Sequence, residues 1–192
     1  MAVMQLPDLI TPDPSLRKRV KDLSGQNVSA CFQCEKCTNG CPVSFAMDIA
    51  PHKVMRLVQL GLKDELLRSD TIWLCASCET CTARCPNGID IAHVMDTLRQ
   101  MSRRDGIRAS QPDVPVFHDA FLASMKRHGR VHEASMVVEF LLRSKGIRGL
   151  LDYAGEGLDM MRKGKIRLLP SPLRANGQLR RIFSKAKEKA KG

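Results

Sequence analysis

Hydrophobic residues recur at intervals of three and four along the first half of the chain, a spacing that predicts amphipathic helices. A first short helix is expected from Ser15, its N-cap, to near Gly25. Its apolar face comprises Leu16, Val20 and Leu23. The preceding residues, 1–14, contain three prolines and are interpreted as an extended arm.

Two further helices are expected between and after the cysteine-rich segments. In the first, Asp48 is the predicted N-cap, Pro51 lies in the first turn and Gly61 interrupts the helix. A shorter helix over 63–68 is expected to follow it. In the second, the helix begins at Asp90 and stops near Gly106. The predicted buried stripe of that helix is Ile91, Val94, Met95, Leu98 and Met101.

The second half of the chain has weaker apolar patterning. Residues 110–116 are interpreted as a linker, followed by a helix over Phe117 and Phe121 that Gly129 closes. A helix over 131–142 comes next, and several glycines then break the chain into short helical pieces such as 150–154 and 158–162. These pieces have apolar faces but little core of their own, so we expect 109–169 to dock on a partner subunit. The alternative is that they fold back on the cluster domain. Beyond Pro170 no strong periodicity is present.

All eight cysteines lie in two runs with the same spacing, C-x2-C-x2-C-x3-C-P, 44 residues apart. This is the ligand run of a cubane iron–sulfur cluster, and in two-cluster proteins the fourth cysteine ligates the other cluster. We therefore expect two [4Fe-4S] clusters with exchanged ligands. The first is assigned to Cys31, Cys34, Cys37 and Cys85, and the second to Cys75, Cys78, Cys81 and Cys41.

Zinc and disulfides explain this pattern less well. Structural zinc sites usually take Cys or His in separated pairs, not three thiols followed by a proline-terminated fourth. Disulfides are typical of small secreted chains, and the N-terminus shows no secretion signal. Thiols committed to metal indicate a reducing cytoplasm, and no apolar run is long enough to predict a membrane span.

Each cysteine run is followed by a related segment. Asp90, His93 and Met95 in the second copy correspond to Asp48, His52 and Met55 in the first, which has two extra residues. A duplicated unit of ligand run plus helix predicts an all-α cage in which each half lends its last cysteine to the other. Clusters held in this way also support the fold, so the apo protein should be largely unfolded.

Composition adds two points. Aromatic residues make up only 4% and methionines number ten, so the core should be aliphatic and rich in Met. The net charge of +11 arises almost entirely from residues 162–192, which hold 11 Lys and Arg against one acidic residue.

We divide the chain into an arm and short helix (1–24), a two-cluster helical domain (25–108), a C-terminal helical, partner-docking region (109–169) and a basic tail (170–192).

Three other residues lie close in sequence to the cysteine runs, and the question is whether they contact a cluster. Trp73, two residues before Cys75, could shield the second cluster from water or simply pack in the core. His52 and His93 are interpreted as surface or packing residues, because eight cysteines already supply eight ligands. No catalytic triad, phosphate-binding loop or carboxylate pair rises above chance, so no substrate site is predicted.

Beyond the cysteines, the chain resembles the C subunit of heterodisulfide reductase over about residues 20–165. The resemblance rests on Met47-Asp48 with Pro51, the segments 72–75, 88–91 and 95–99, and further along 117–118 and 164–166. The cysteine runs alone are shared with other α-helical ferredoxin modules, such as the iron–sulfur subunit of succinate dehydrogenase and the C subunit of glycerol-3-phosphate dehydrogenase.

The resemblance implies an all-α ferredoxin fold whose eight matching cysteines hold two [4Fe-4S] clusters. It also implies a non-catalytic, electron-transfer subunit of an oxidoreductase, relaying electrons between a flavin-bearing A subunit and a disulfide-reducing B subunit. In methanogens that disulfide joins coenzyme M and coenzyme B, and related complexes serve sulfate reducers and sulfur oxidisers.

Two alternatives remain open at this stage. One is the iron–sulfur module of a membrane-linked quinone or cytochrome oxidoreductase, with the basic tail at the lipid surface. The other is a nucleic-acid-binding iron–sulfur protein, which the near-neutral body and scarcity of aromatic residues disfavour.

Overall fold

A computed structural model of the protein describes residues 12–165 and 176–189. Within these residues the chain forms helices and connecting loops and contains no strand, which confirms the predicted all-α class. It divides after Gln111 into two compact units. The predicted N-terminal arm lies mostly outside the described residues, as do the first and last parts of the basic tail.

Between residues 12 and 111 the first unit contains seven α-helices and two short 3-10 helices, Val28–Ala30 and Ser44–Ala46. The α-helices are α1 (Ser15–Ser24), α2 (Lys36–Asn39), α3 (Pro51–Leu60), α4 (Lys63–Arg68), α5 (Thr71–Leu74), α6 (Thr80–Arg84) and α7 (Ile91–Arg104).

Helix α7 is the centre of this unit and contacts α1, α4, α5 and α6. Its five predicted stripe residues are all buried, which confirms the sequence-derived face. Burying each such side chain stabilises the fold by about 1.5–3 kcal/mol. The core is aliphatic and includes Met55, Met95 and Met101, as the composition predicts.

The start of α1 is held against the junction of α3 and α4. The Asp13 amide donates to the Gly61 carbonyl oxygen at 2.7 Å. Gly61 has φ 76°, and a Cβ at this position would lie 2.4 Å from the Asp13 carbonyl oxygen. Only glycine satisfies both the left-handed backbone and this close approach.

Two predicted N-caps are wrong. Ser15 is the first residue of α1 and its amide donates to the Asp13 carboxylate at 2.8 Å, so Asp13 satisfies this helix end. Asp48 does not cap α3, which begins at Pro51 with Ala50 as N-cap. The Asp48 carboxylate is directed to α5 instead.

The described parts of the second unit, 112–165 and 176–189, contain five α-helices. They are α8 (Asp113–His128), α9 (Glu133–Ser144), α10 (Gly146–Asp152), α11 (Ala154–Arg162) and α12 (Asn176–Lys189). Helices α8 and α9 pack together around Phe117, whose ring meets that of Phe140 edge-on at 5.7 Å. Among the side chains that the structure describes in this unit, few are fully buried, chiefly Ala120 and Ser124.

Two sequence predictions for this unit need correction. The linker is shorter than 110–116, because α8 already begins at Asp113, with Pro112 as its N-cap. The tail is also more regular than its sequence indicates, since 176–189 form a helix that contacts α8. The rest of the predicted basic tail, 170–175 and 190–192, lies outside the described residues.

Candidate cluster site

The two cysteine runs fold into the same local structure. In each run the residues on either side of the second cysteine have positive φ: Gln33 and Glu35 around Cys34, and Ser77 and Glu79 around Cys78. A short helix then begins at the residue before the third cysteine.

These four residues are strained, because none is glycine. Left-handed backbone costs a side-chain-bearing residue about 1–2 kcal/mol. Such strain typically accumulates at functional sites. Left-handed residues in a turn take part in concavities lined by backbone N–H groups, which bind anions and occur at many iron–sulfur sites. The backbone of both runs is therefore suited to a negatively charged cluster.

The short helices of the two runs, α2 and α6, contact each other. Gly40 and Arg84 occupy equivalent positions in the two runs, and the Arg84 side chain lies over Gly40. A Cβ at Gly40 would be 2.5 Å from Arg84 Cδ. The absence of a side chain at Gly40 thus leaves room for the Arg84 side chain where α2 and α6 meet.

A pocket in the first unit brings together cysteines from both runs. Cys75, Cys78 and Cys81 line it together with Cys41 from the first run. The remaining lining is almost entirely apolar: Val43, Met47, Pro51, Ala76, Ala92 and Met95. Four thiols around one pocket fit a [4Fe-4S] cube, which takes four thiolate ligands.

The segment after Cys85 is tied to the segment before Cys31. The Asp90 amide donates to Gln26 Oε1 at 2.9 Å, and the Asn87 side chain donates to the Ala30 carbonyl. The Ile89 amide lies 3.4 Å from the Cys85 sulfur, as a donor to it. These bonds hold Cys85 near the beginning of the first run.

Each run is also fastened to the long helix that follows it. Thr38 and Thr82 directly follow the third cysteine of their runs. Thr38 Oγ1 accepts from the His52 amide at 3.1 Å, and Thr82 Oγ1 accepts from the Ala92 amide at 3.3 Å. In both cases the donor is the second residue of the helix, one of the amides that has no partner within the helix itself.

The environments of the thiols differ. Burial raises the pKa of the Cys37 thiol and raises that of Cys81 to about 11. A hydrogen bond with Thr80, 3.4 Å away, lowers the pKa of Cys78. Because thiolate is the ligand form, metal binding must displace protons from the buried thiols.

The two histidines and the tryptophan singled out in the sequence occupy different surroundings. His52 Nδ1 lies 2.8 Å from Thr38 Oγ1, within the connection just described, whereas His93 is exposed on α7. Trp73 is 3% exposed, and its Nε1 has no hydrogen-bond partner among the described residues. Within 12–165 and 176–189, no three His, Cys, Asp or Glu side chains come close enough to share a single metal ion.

Sequence reasoning missed the residues that support the ligand runs. The threonines could have been found, because Cys-Thr recurs at the same place in both copies. The role of Arg99, a buried side chain of α7 that donates to Ser77, had no signal in spacing alone.

Comparison with known proteins identifies the segment that carries both runs. Residues 30–90 match the model of the 4Fe-4S dicluster domain. The match and the eight cysteines support two [4Fe-4S] clusters, as the sequence predicts.

Curated relatives confirm the resemblance to the C subunit of heterodisulfide reductases. The chain is 39% identical over 83 residues to the iron-sulfur C subunit of the CoB–CoM heterodisulfide reductase of Methanopyrus kandleri, covering 43% of each chain. It is 41% identical over 81 residues to the second iron-sulfur C subunit of that reductase in Methanocaldococcus jannaschii, covering 42% of this chain and 43% of that one.

A longer match is to the C subunit of the H2:CoB–CoM heterodisulfide,ferredoxin reductase of Methanothermobacter marburgensis, 31% identical over 97 residues. It covers 50% of this chain and 52% of the relative. The chain thus matches about half the length of these relatives.

Among the described helices, none combines the length and apolar character needed to cross a bilayer.

Proposed function

We propose that the chain is an iron–sulfur electron-transfer subunit of a heterodisulfide reductase or a related complex. In this role it relays electrons between a flavin-bearing A subunit and the B subunit that reduces the disulfide. The observation that carries the proposal is the contact between α2 and α6, which holds two cubane ligand runs side by side. The names of the relatives support the type of complex.

The ligand sets follow from the exchange of the fourth cysteines. One cluster takes Cys31, Cys34, Cys37 and Cys85, and the other takes Cys75, Cys78, Cys81 and Cys41. The second set is supported by the pocket that Cys41 lines together with the three thiols of the second run. The bonds between the segments flanking Cys85 and Cys31 support the first.

The bound clusters supply reversible one-electron transfer. The protein positions them, excludes water on the side of the α3 and α7 core, and leaves one side of each run accessible. Cys34 and Cys78, the second cysteines, are both exposed. These two positions are where electrons would enter and leave the pair.

Apolar surface beside the first run supports partner docking. Phe32 is 62% exposed and Phe45 is 88% exposed, and each lies close in sequence to a cysteine of that run. In the second unit, Ile147 and Leu151 of α10 are both 69% exposed. We assign 109–169 to partner contact, and the disulfide chemistry to another subunit.

The direct test is anaerobic isolation of the untagged complex from a host that produces it natively. The proposal expects about eight irons per chain, since the eight thiolates ligate two four-iron clusters. It also expects a flavoprotein and a disulfide-active subunit to co-purify from the cytoplasmic fraction. Co-purification with a cytochrome or quinone-reactive subunit from membranes would support the membrane-linked alternative instead. Zinc, or half the expected iron, would contradict a two-cluster relay.

A further inference from the structure

One pair of equivalent positions in the two halves differs in charge. Gln59 on α3 and Arg99 on α7 each lie four residues after a buried methionine, Met55 and Met95. Both side chains reach back to a cysteine run. The Gln59 amide donates to the carbonyl oxygens of Cys31 at 2.9 Å and Val28 at 3.0 Å. The first run is therefore held by a neutral group.

The second run is held by a cation. Arg99 Nη2 donates to Ser77 Oγ at 2.8 Å, and Ser77 is one of the strained residues between Cys75 and Cys78. Arg99 is only 8% exposed. Its guanidinium thus lies against the loop that carries two ligands of one cluster, with little solvent around it.

This charge is weakly compensated. Asp96 Oδ1 lies 3.4 Å from Arg99 Nη2, but the Asp96 side chain is 51% exposed and its charge is screened by water. Arg99 Nε is buried without a hydrogen-bond partner among the described residues. Burying an incompletely paired charge is costly, so a benefit to the bound cluster would explain why it is there.

Charges near the first run are more solvated. Arg84 approaches Gly40, but its side chain is exposed. His52 is the exception, because its side chain is only 15% exposed, but it lies 3.5 Å from the Glu35 carboxylate, whose side chain is 57% exposed. Exposed charges act through a high dielectric and have little effect at a distance. The buried guanidinium is therefore the main electrostatic difference between the two runs.

We propose that Arg99 raises the reduction potential of the cluster held by the second run above that of the cluster held by the first. The added electron increases the negative charge of a cluster, and a nearby buried cation stabilises that reduced form. Electrons that enter the pair therefore settle on the second cluster. This inference rests on the two-cluster relay proposed above.

The test is a redox titration of the anaerobically purified full-length protein, followed by EPR. A Cys78→Ser variant identifies the signal of the second cluster, because serine replaces one of its ligands. Arg99→Gln copies the residue at position 59 and removes the charge. Arg99→Lys keeps the charge, and Arg104→Gln removes one from an exposed position of the same helix.

The expected result is a shift of one midpoint potential. Arg99→Gln should move the second cluster to a more negative potential and leave the first unchanged. Arg99→Lys should show less than half of that shift, and Arg104→Gln none. If Arg99→Gln loses iron, Arg99→Met replaces it in the test, because methionine keeps the aliphatic stem. Arg99→Met should then move the second cluster to a more negative potential and leave the first unchanged.

An unmoved second potential with both clusters intact overturns the inference. A shift in Arg99→Lys as large as in Arg99→Gln also overturns it, because geometry and not charge would then be responsible. Either result leaves the proposed function standing. The proposed function fails separately, if the unmodified chain does not take up two clusters.

Discussion

The carboxylate of Asp48 binds Thr71 through two bonds, accepting from its amide at 2.9 Å and from its hydroxyl at 2.6 Å. It also accepts from the Asp70 amide at 2.9 Å. Asp48 lies seven residues after Cys41, and α5 ends just before Cys75. One side chain therefore joins the end of the first run to the approach of the second.

Asp48→Ala should destabilise the first unit by about 2–3 kcal/mol, because two buried or half-buried amides at the start of α5 lose their acceptor. Thermal unfolding of the cluster-loaded protein under anaerobic conditions measures the effect. Asp22→Ala, an exposed carboxylate on α1, is the control and should change stability by less than 0.5 kcal/mol in magnitude, roughly the surface-substitution range. Equal effects of the two substitutions would remove the structural role assigned to Asp48.

The Thr38 and Thr82 hydroxyls should be equivalent in function, since each fastens a ligand run to a helix. Thr38→Val keeps the shape and leaves the His52 amide without its acceptor, at a cost of about 1–2 kcal/mol. Thr38→Ser, which keeps the hydroxyl, should recover most of that loss. The rate at which a chelator removes iron is a second measurement, and Thr38→Val should increase it. No difference between the valine and serine variants would contradict this role.

Gly61→Ala should be strongly destabilising, by about 3 kcal/mol, because it combines a left-handed backbone with a clash against a carbonyl oxygen. The matched control is Gly155→Ala in α11, where a Cβ meets no atom within 4 Å and φ is not positive. That substitution should be neutral or stabilise the helix by up to about 1 kcal/mol. Denaturant unfolding of both variants measures the contrast, and a tolerated Gly61→Ala would show that α1 does not dock as described.

Asp105 predicts a pH dependence of stability. Hydrogen bonding to Lys63, 2.7 Å away, and then to Arg19 lowers the pKa of its carboxyl. A carboxyl whose pKa is lower when folded stabilises the protein above its unfolded pKa, about 3.9, and this contribution is lost as the pH falls through the folded value.

The stability advantage of the unmodified chain over Asp105→Asn should therefore be constant from pH 7 to about pH 5, near 1 kcal/mol for two partly exposed pairs. It should shrink below that range. Urea unfolding at a series of pH values measures the difference. An advantage that grows on acidification would have the wrong sign for this carboxyl.

The sequence predicts a helix well where apolar periodicity marks its buried face and a glycine marks its end. The stripe of α7, its start near Asp90 and the stops at Gly61 and Gly129 all follow from local rules. Asp48 shows where such rules fail. Its position before Pro51 is typical of an N-cap, but its partner is 23 residues away and is chosen by tertiary packing.

The candidate site also has features that the sequence predicts and features that it does not. Spacing alone predicts eight cysteine ligands and two clusters, because cubane ligation imposes a rigid pattern on the chain. The positive φ of Gln33 and Ser77 has no sequence signal, since neither is glycine. The helix at 176–189 was missed because basic residues are numerous and apolar residues few along it, so its apolar face is easily overlooked.

The exchange of ligands between the two halves is the central claim, and Cys41→Ala tests it most directly. EPR and iron counting on the anaerobically purified variant, with Cys85→Ala as its counterpart, measure which cluster is damaged. The account predicts that Cys41→Ala damages the cluster held by Cys75, Cys78 and Cys81 and spares the other. Loss of the cluster held by Cys31, Cys34 and Cys37 would contradict it.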